Sequence, residues 1–183
     1  MAIILPKQVG TEEGKLLFQR AEEVKDFDKS KEIVKFLKGT LEYYGGMGLA
    51  APQIGISKRV FALNIRPTEK YPHLPKIGFK AYFNPKILTI SSDSDKDSEG
   101  CLSIFYGTLY GLVKRPNKLK VKYLNIEGEE QVEEIIHPLQ SRIILHEKDH
   151  LDGKIFLQRI EKDDFSKLYW NEKLDIKKMV NLN

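Results

Sequence analysis

One stretch decides how this chain is interpreted: His146-Glu147-Lys148-Asp149-His150. In a helix, residues four positions apart lie on one face, so both imidazoles can reach the same metal ion. Glu147 follows the first histidine and can point toward a water molecule on that ion. A divalent cation lowers the pKa of such a water molecule toward neutrality, and a carboxylate can accept its proton. Because the same pattern occurs by chance on surface helices, it needs support from the rest of the chain.

The flanking residues predict the helix that carries this stretch. Pro138 suits a first helical turn, and Gly153 suits the position just after a helix end. The helix is therefore expected to run from Pro138 to about Leu151. Residues three and seven positions before the first histidine share its face, and both are apolar: Leu139 and Ile143.

A catalytic metal site usually has three protein ligands and one open position, so a third ligand is required. Among the four histidines, His73 and His137 are not spaced as in three-histidine metalloproteases. Cys101, within Glu99-Gly-Cys-Leu-Ser103, is a candidate because a thiolate suits iron, zinc, nickel or cobalt. A lone cysteine is more often an inert core residue, but ligation would also supply the missing third ligand.

A glycine-rich stretch, Gly46-Met-Gly-Leu-Ala-Ala-Pro-Gln53, predicts a shaped loop. Its glycines would let the backbone of a substrate approach closely. The side chain of Gln53 carries two N–H donors, which suits it to a developing oxyanion. On its own, however, this stretch is better explained by a helix C-cap followed by a turn.

An acidic third ligand after the second histidine is the alternative. It would make the chain a zinc endopeptidase of the glutamate-ligand type, and Glu161 and Glu172 are the nearby options. This alternative leaves Cys101 and the stretch that ends at Gln53 unexplained.

The other patterns predict a second long helix and several strands. Asp28 or Ser30 can cap a helix that runs to about Tyr44, where Gly45-Gly46 ends it. Branched and aromatic residues predict four strands, the last two as a hairpin: Arg59–Ile65, Phe79–Ile90, Leu119–Ile126 and Gln131–Ile136. Pro85 indicates an edge or a bulge in the second of these.

Two polar stretches complete the pattern. Ser91–Ser98 predicts a solvated turn, and Asp163–Met179 predicts a short charged helix. The order of helix, strands and helix is typical of an α+β fold and not of alternating βαβ units. Because no repeat or linker divides the chain, we expect one domain over residues 1–183.

Composition narrows the class of protein. The chain has 183 residues with 41% apolar content and a net charge of +4, which predicts a solvated basic face and no specific nucleic-acid site. One cysteine excludes a disulfide scaffold. The start of the chain lacks the features of a signal peptide, and no apolar run approaches the ~18 residues that span a bilayer. These features predict a cytoplasmic protein without a membrane partner.

Three motifs together resemble the signatures of peptide deformylases, in their usual order: Gly46-Met-Gly-Leu-Ala-Ala-Pro-Gln53, Glu99-Gly-Cys-Leu-Ser103 and His146-Glu-Lys-Asp-His150-Leu-Asp-Gly153. Smaller similarities are Phe83-Asn-Pro-Lys-Ile87, Arg115-Pro116 and Lys154-Ile-Phe156. The resemblance spans roughly residues 46 to 159. It implies a small α+β domain in which the HExxH motif lies on a central helix packed against antiparallel β-sheets.

The resemblance also implies a metal centre and its chemistry. Cys101, His146 and His150 would bind one divalent ion, with Fe2+ as the native metal and Ni2+, Co2+ or Zn2+ as substitutes. Glu147 would act as acid and base. The side chain of Gln53 and the backbone N–H of Leu102 would stabilise the oxyanion.

The implied reaction is hydrolysis of the N-formyl group from the N-terminal formyl-methionine of newly synthesised polypeptides, which releases formate. Gly48 would pair with the peptide backbone as in strand addition. The methionine side chain would enter an apolar pocket made by Met47, Leu139 and Ile143. The implied partners are N-formylated nascent peptides, with transient proximity to the ribosome.

Three departures from the family pattern leave substrate preference open. Leu145 stands where glutamine is usual, and Arg142 stands where an apolar pocket residue is common, so it could narrow the pocket or snorkel out. The segment Phe105–Leu112 lacks the usual arginine and is slightly longer. Two alternatives follow: a paralogue that acts on another formyl amide, or a non-catalytic homologue that binds formyl peptides or metal.

Overall fold

The computed structural model describes residues 2–67, 72, 74 and 76–171. The helices in this part are α1 (Phe27–Tyr44) and α2 (Pro138–Leu151). The strands are β1 (Gly48–Ala50), β2 (Val60–Leu63), β3 (Lys80–Ile90), β4 (Ser94–Gly100), β5 (Leu109–Pro116), β6 (Leu119–Leu124), β7 (Glu130–Ile135) and β8 (Tyr169–Trp170). Neither helix is long and apolar enough to cross a lipid bilayer.

The strands form two antiparallel sheets. A five-stranded sheet has the order β1-β2-β3-β6-β7, and a three-stranded sheet has the order β4-β5-β8. Every ladder pair between these strands is antiparallel. The predicted α+β class is therefore confirmed, since no parallel βαβ unit joins the strands.

Strand β2 explains how two helices share one sheet. All four of its residues are fully buried, which is expected of a strand covered on both faces. Val60 and Ala62 pack in the same cluster as the apolar face of α1, whereas Phe61 and Leu63 pack with residues of α2. Because side chains alternate along a strand, the two helices lie on opposite faces of the five-stranded sheet.

Helix α2 is the central helix, as predicted. It contacts β1 and β2 of the large sheet and β5 of the small sheet. Pro138 occupies its first turn, and Gly153, two residues after the end of the helix, has a φ of 69°. Ile144 and Leu151 anchor it in the core. The HExxH stretch is thus held between the two sheets.

Helix α1 begins earlier than predicted. Asp26 is the N-cap, and its carboxylate accepts a hydrogen bond from the backbone N–H of Lys29 at 3.2 Å. Asp28 and Ser30 lie inside the first turns, so both proposed caps were wrong. Gly45 ends the helix with a φ of 72°, as expected.

The polar stretch Ser91–Ser98 was wrongly predicted as a turn. Strand β4 begins at Ser94 and pairs with β5 from Ser94 opposite Pro116 to Gly100 opposite Tyr110. Strand β5 also includes Leu109–Leu112, the second half of the segment Phe105–Leu112 that departs from the family pattern. The residues of β4 are polar both where they are exposed, as Asp95 and Lys96 are, and where they are buried, as Glu99 is, so apolar content did not reveal the strand.

The other predicted elements had mixed outcomes. The bulge near Pro85 is confirmed by a register shift between Phe83 and Lys86, and the β6–β7 hairpin is confirmed. The stretch ending at Gln53 contains β1 and a 3-10 turn, Ala51–Ile54. In place of the predicted C-terminal helix there is a 3-10 turn, Lys162–Lys167, followed by β8; the rest of that prediction lies outside the described residues.

The cap assignment predicts a difference between two nearby aspartates. Asp26→Ala removes the acceptor for the N–H of Lys29 and should lower the free energy of unfolding by about 1 kcal/mol. Asp28→Ala, the matched control, removes an exposed carboxylate and should change it by less than about 0.5 kcal/mol. Urea unfolding measures both values. A larger loss for Asp28→Ala would contradict the assignment.

Candidate metal centre and active site

A cavity of about 340 Å³ opens between β1, α2 and the small sheet. The residues singled out from the sequence that line it are Met47, Gly48, Gln53, Cys101, Leu102, Leu139, Ile143, His146 and Glu147. His150 lies behind this lining, with its Nε2 3.2 Å from the Sγ of Cys101. The fold therefore brings together residues that are up to 103 positions apart in the sequence.

The three candidate ligands form one buried cluster. The ligand atoms of Cys101, His146 and His150 lie within 4.8 Å of one another. Zinc-type ions bind sulfur and imidazole nitrogen at roughly 2.0–2.3 Å, so atoms at this mutual separation can reach one ion. No other metal-competent cluster occurs in the described ranges.

Glu99 orients the first histidine. Its Oε2 lies 2.9 Å from the Nδ1 of His146, so Nδ1–H donates to the carboxylate and the lone pair of Nε2 is left for a ligand bond. Arg115 donates to both carboxylate oxygens, at 2.9 and 3.0 Å. Burial acts to raise the pKa of Glu99, but the hydrogen bonds from His146 and Arg115 hold the pKa well below its ordinary value.

A buried charge network extends from this carboxylate. Arg115 also donates to Asp149 at 2.7 Å, and Asp149 accepts from Arg159 at 2.9 Å. Asp149 lies between the two histidines in sequence and faces away from the cavity. Sequence reasoning assigned no role to Glu99 or Asp149, although Arg115 stood in a motif. The sequence signal that could have indicated this network is that Glu99, Arg115 and Asp149 are charged residues in three separate family motifs.

The chemistry of the donor set fits a metal ion. Burial acts to raise the pKa of the Cys101 thiol, but the neighbouring His150 and His146 outweigh it and bring the pKa to about 5. The thiolate, which is the form that binds metals, is therefore favoured at neutral pH. The Nδ1 of His150 and the Oε2 of Glu147 are buried without a hydrogen-bond partner in the described part of the chain.

Glu147 is packed directly against β1. A Cβ added at Gly48 would lie 2.4 Å from its Oε1, so only glycine fits there. Burial raises the pKa of the Glu147 carboxyl to about 7, despite the opposing charges of His146 and His150. A carboxyl with this pKa can both accept and release a proton near neutral pH.

Gln53 is oriented by its own turn. Its Oε1 accepts a hydrogen bond from the backbone N–H of Ala50 at 2.8 Å, so the amide nitrogen must point the other way. That nitrogen lies 3.3 Å from both the Sγ of Cys101 and the Oγ of Ser103. The amide donor is thus aimed at the candidate metal centre.

The N-terminal segment holds this donor arrangement in place. The N–H of Lys7 donates to the carbonyl of Gln53 at 2.7 Å, and the N–H of Val9 donates to the carbonyl of Ser103 at 2.8 Å. The side chain of Gln8 donates to the carbonyl of Leu102 at 2.9 Å. Sequence reasoning missed this strap, residues 7–9, because nothing in its local pattern indicates a distant partner.

The alternative ligands lie elsewhere. His137 is the N-cap residue of α2, and His73 lies outside the described residues. Glu161 pairs with Lys96 at 2.6 Å and is not part of the metal cluster. Glu172 lies outside the described residues. Within the described chain, no acidic third ligand of the endopeptidase type accompanies the two histidines.

Arg142 neither narrows the cavity with its charge nor snorkels into solvent. It is buried, and its guanidinium donates to Val113 O at 2.7 Å, Asp95 Oδ1 at 2.8 Å and Glu99 Oε1 at 3.0 Å. The guanidinium is therefore held by hydrogen bonds to β4 and β5. The side chain still lines the cavity, so its methylene stem is the part that a ligand can meet.

The metal centre predicts a contrast between two variants. Cys101→Ala removes one of three candidate ligands and should weaken nickel binding by more than about 100-fold. Removing a residue that only hydrogen-bonds to a metal ligand already weakens binding by up to about 100-fold, and removing the ligand itself should cost more. Glu147→Gln should still bind about one ion per chain. Metal content after oxygen-free reconstitution and dialysis measures both. Stoichiometric metal in Cys101→Ala would contradict this ligand set.

Comparison with known proteins agrees with this geometry. The family model described as polypeptide deformylase matches residues 6–166. A peptide deformylase of Natranaerobius thermophilus is 39% identical over 156 residues, which cover 85% of this chain and 92% of the relative. Peptide deformylase 2 of Clostridium perfringens is 38% identical over 159 residues, or 87% of this chain and 94% of the relative.

Solved structures give the same result. A class I type b peptide deformylase from Acinetobacter baumannii, bound to Met-Ala-Ser, has a TM-score of 0.79 at 33% identity and covers 87% of this chain and 100% of its own. The peptide deformylase of Thermotoga maritima has a TM-score of 0.77 at 32% identity and covers 88% and 99%. The chain belongs to the polypeptide deformylase family.

Proposed function

We propose that this chain removes the formyl group from the N-terminal formyl-methionine of newly synthesised polypeptides and releases formate. As a member of its family, the chain is an enzyme that hydrolyses N-formyl groups of peptides. The supporting observation is the buried cluster of Cys101, His146 and His150 beside Glu147, at the base of a cavity that is open to a peptide. We also propose that residues 1–183 form one catalytic domain.

The cavity suits a methionine side chain. Met47, Leu139 and Ile143 supply apolar walls, and the stem of Arg142 replaces the apolar residue usual at its position. The guanidinium of Arg142 is fully engaged by β4 and β5, so it presents no unpaired charge to the ligand. The Acinetobacter baumannii relative has been crystallised with Met-Ala-Ser, a peptide that begins with methionine.

The peptide backbone would be held by strand addition. Strand β1 is at the edge of the five-stranded sheet and pairs with β2 on one side. Gly48 begins this strand and lines the cavity, so an extended peptide can pair with its free side. The absent side chain at Gly48 lets β1 lie directly against Glu147 and Ile143, so a peptide paired with β1 would lie close to the proposed acid–base residue.

The proposed ligands of the divalent ion are Cys101, His146 and His150, with Fe2+ as the native ion and Ni2+, Co2+ or Zn2+ as substitutes. When bound, such an ion acts as a Lewis acid and makes water a stronger acid. The thiolate preference of Cys101 and the Glu99–His146 hydrogen bond support this assignment. Thiolate ligation also predicts sensitivity to oxidation.

The proton transfers are assigned to Glu147. Its carboxylate accepts the proton of the attacking water molecule and then donates it to the nitrogen of the departing amine. The side chain of Gln53 and the backbone N–H of Leu102 donate to the oxyanion of the tetrahedral intermediate. The fixed orientation of the Gln53 amide supports its role, because a preoriented donor needs no rearrangement during the reaction.

The proposed partners are N-formylated nascent peptides met in the cytoplasm, with transient proximity to the ribosome. No specific nucleic-acid partner is proposed, because the charge excess is only +4. Because the segment Phe105–Leu112 departs from the family pattern, two alternatives are tested in the same assay. They are turnover of another formyl amide and binding without turnover.

The proposal predicts formate release from formyl-Met-Ala-Ser by protein that is prepared without oxygen and loaded with Fe2+ or Ni2+. Glu147→Ala should abolish turnover while metal remains bound, since it removes the proton carrier and no ligand. Formate is measured enzymatically. Turnover of other formyl amides alone would favour the paralogue, and metal binding without any turnover would favour the non-catalytic homologue.

The strap, residues 7–9, predicts a positioning role for Gln8. Gln8→Ala frees the carbonyl of Leu102 and should lower kcat by about 10- to 100-fold with little change in KM, because a shift of about 1 Å at a reacting group can cost this much. The exposed Gln19→Ala is the matched control. Gln8→Glu keeps an oxygen that can accept the N–H of Tyr106 but loses the amide that donates to the carbonyl of Leu102, so it should not restore kcat. An unchanged kcat in Gln8→Ala would contradict the role.

A further inference from the structure

An exposed aromatic surface lies beside the mouth of the cavity. It consists of the exposed Phe105, Tyr169 and Trp170 together with the half-buried Tyr106, and we call it the aromatic rim. The rings of Phe105 and Trp170 meet edge to face with centroids 5.0 Å apart, yet they are 57% and 55% exposed. Tyr169 is 44% exposed. Large aromatic side chains held together in the open are typical of binding surfaces.

The rim is continuous with the cavity. Tyr106 lines the cavity itself. Tyr110 also lines it, and its ring stacks on Tyr169 with centroids 5.6 Å apart. The hydroxyl of Tyr169 lies 2.8 Å from that of Ser98, a further lining residue. The rim thus adjoins the cavity through Tyr106 and Tyr110, so a peptide whose first residue occupies the cavity can reach it.

The backbone holds the rim in a costly conformation. Phe105 and Tyr106 have φ values of 46° and 55°, the left-handed region that side chains disfavour. The Oε1 of Gln8 accepts the N–H of Tyr106 at 3.1 Å, and the carbonyl of Phe105 accepts the hydroxyl of Thr108 at 2.7 Å. Such strain persists where surrounding contacts impose it and is concentrated at functional sites.

The second half of the rim lies beyond the family match. That match ends at residue 166, whereas β8 adds Tyr169 and Trp170 to the edge of β5, opposite Tyr110 and Leu109. The first half falls in the segment Phe105–Leu112, which has no arginine. The rim is therefore built from the parts of this chain that depart most from the family pattern.

We propose that the aromatic rim binds the side chain of the third residue of the formyl peptide and favours aromatic residues there. This inference rests on the proposed function, since the peptide is the substrate. In a strand that pairs with Gly48, side chains alternate between faces, so the third residue shares the face of the methionine. We place the rim on that face because Tyr106 lines the cavity and Tyr110, another lining residue, stacks on Tyr169. An aromatic pair adds about 2- to 13-fold in affinity.

The first test compares formyl-Met-Ala-Phe with formyl-Met-Ala-Ser. The native protein should favour the phenylalanine peptide by about 2- to 13-fold in kcat/KM. In Trp170→Ala and Phe105→Ala this ratio should fall toward one. Phe18→Ala, which removes another half-exposed aromatic ring, should keep the native ratio. A native ratio near one, or a ratio unchanged in Trp170→Ala, would overturn the proposal.

The second test needs no turnover. Trp170 is the one tryptophan of the chain, so its fluorescence reports on the rim alone. Titration with the unformylated peptide Met-Ala-Phe should change the emission saturably, and Phe105→Ala should raise the apparent Kd by about 2-fold or more. No change in emission would overturn the proposal.

The two tests separate the rim from the reaction. Turnover of formyl-Met-Ala-Ser without a change in the Trp170 emission on addition of Met-Ala-Phe would support the proposed function and contradict peptide binding by the rim. A saturable emission change without turnover of any formyl peptide would remove the proposed function and leave peptide binding by the rim.

Discussion

The buried carboxylate of Glu99 is the interaction on which the rest of this structure depends. It lies at the end of β4, accepts hydrogen bonds from Arg115 on β5 and from His146 and Arg142 on α2, and so joins the small sheet to the central helix. A buried charge without partners would cost several kcal/mol, so these elements must pack together for the carboxylate to be tolerated. The orientation of His146, a candidate metal ligand, is therefore set by the packing of the fold.

The two sheets contribute different parts of the site. The large sheet supplies β1, an edge that can pair with a peptide backbone, and leads into Gln53, whereas the small sheet leads into Cys101 and Leu102. Helix α2 lies between them and carries Glu147, the proposed acid–base residue, on the same face as the apolar walls. Because the helix contacts both sheets, a shift of either sheet would change the distance between the candidate metal ligands and the edge strand β1.

The sequence predicted what depends on local spacing. Helix α2 and its histidines follow from residues three, four and seven positions apart, and Cys101 followed from the need for a third ligand. Strand β4 could not be predicted, because its polar residues form a strand only by pairing with β5. The burial of the Arg142 guanidinium could not be predicted either, because the five atoms that accept its hydrogen bonds belong to residues 29 to 47 positions away. Interactions across such distances leave no periodic signal.

The strap, residues 7–9, has a consequence for how the site is stabilised. Gln8 meets Leu102 and Tyr106 across 94 and 98 residues, whereas His146, a candidate metal ligand, is held by the Glu99 network. The contacts of the strap and the hydrogen bonds of the Glu99 network have no residue in common. The backbone at Leu102 and the candidate metal centre are therefore stabilised by independent sets of contacts, so a change in the strap can alter one while the other keeps its geometry.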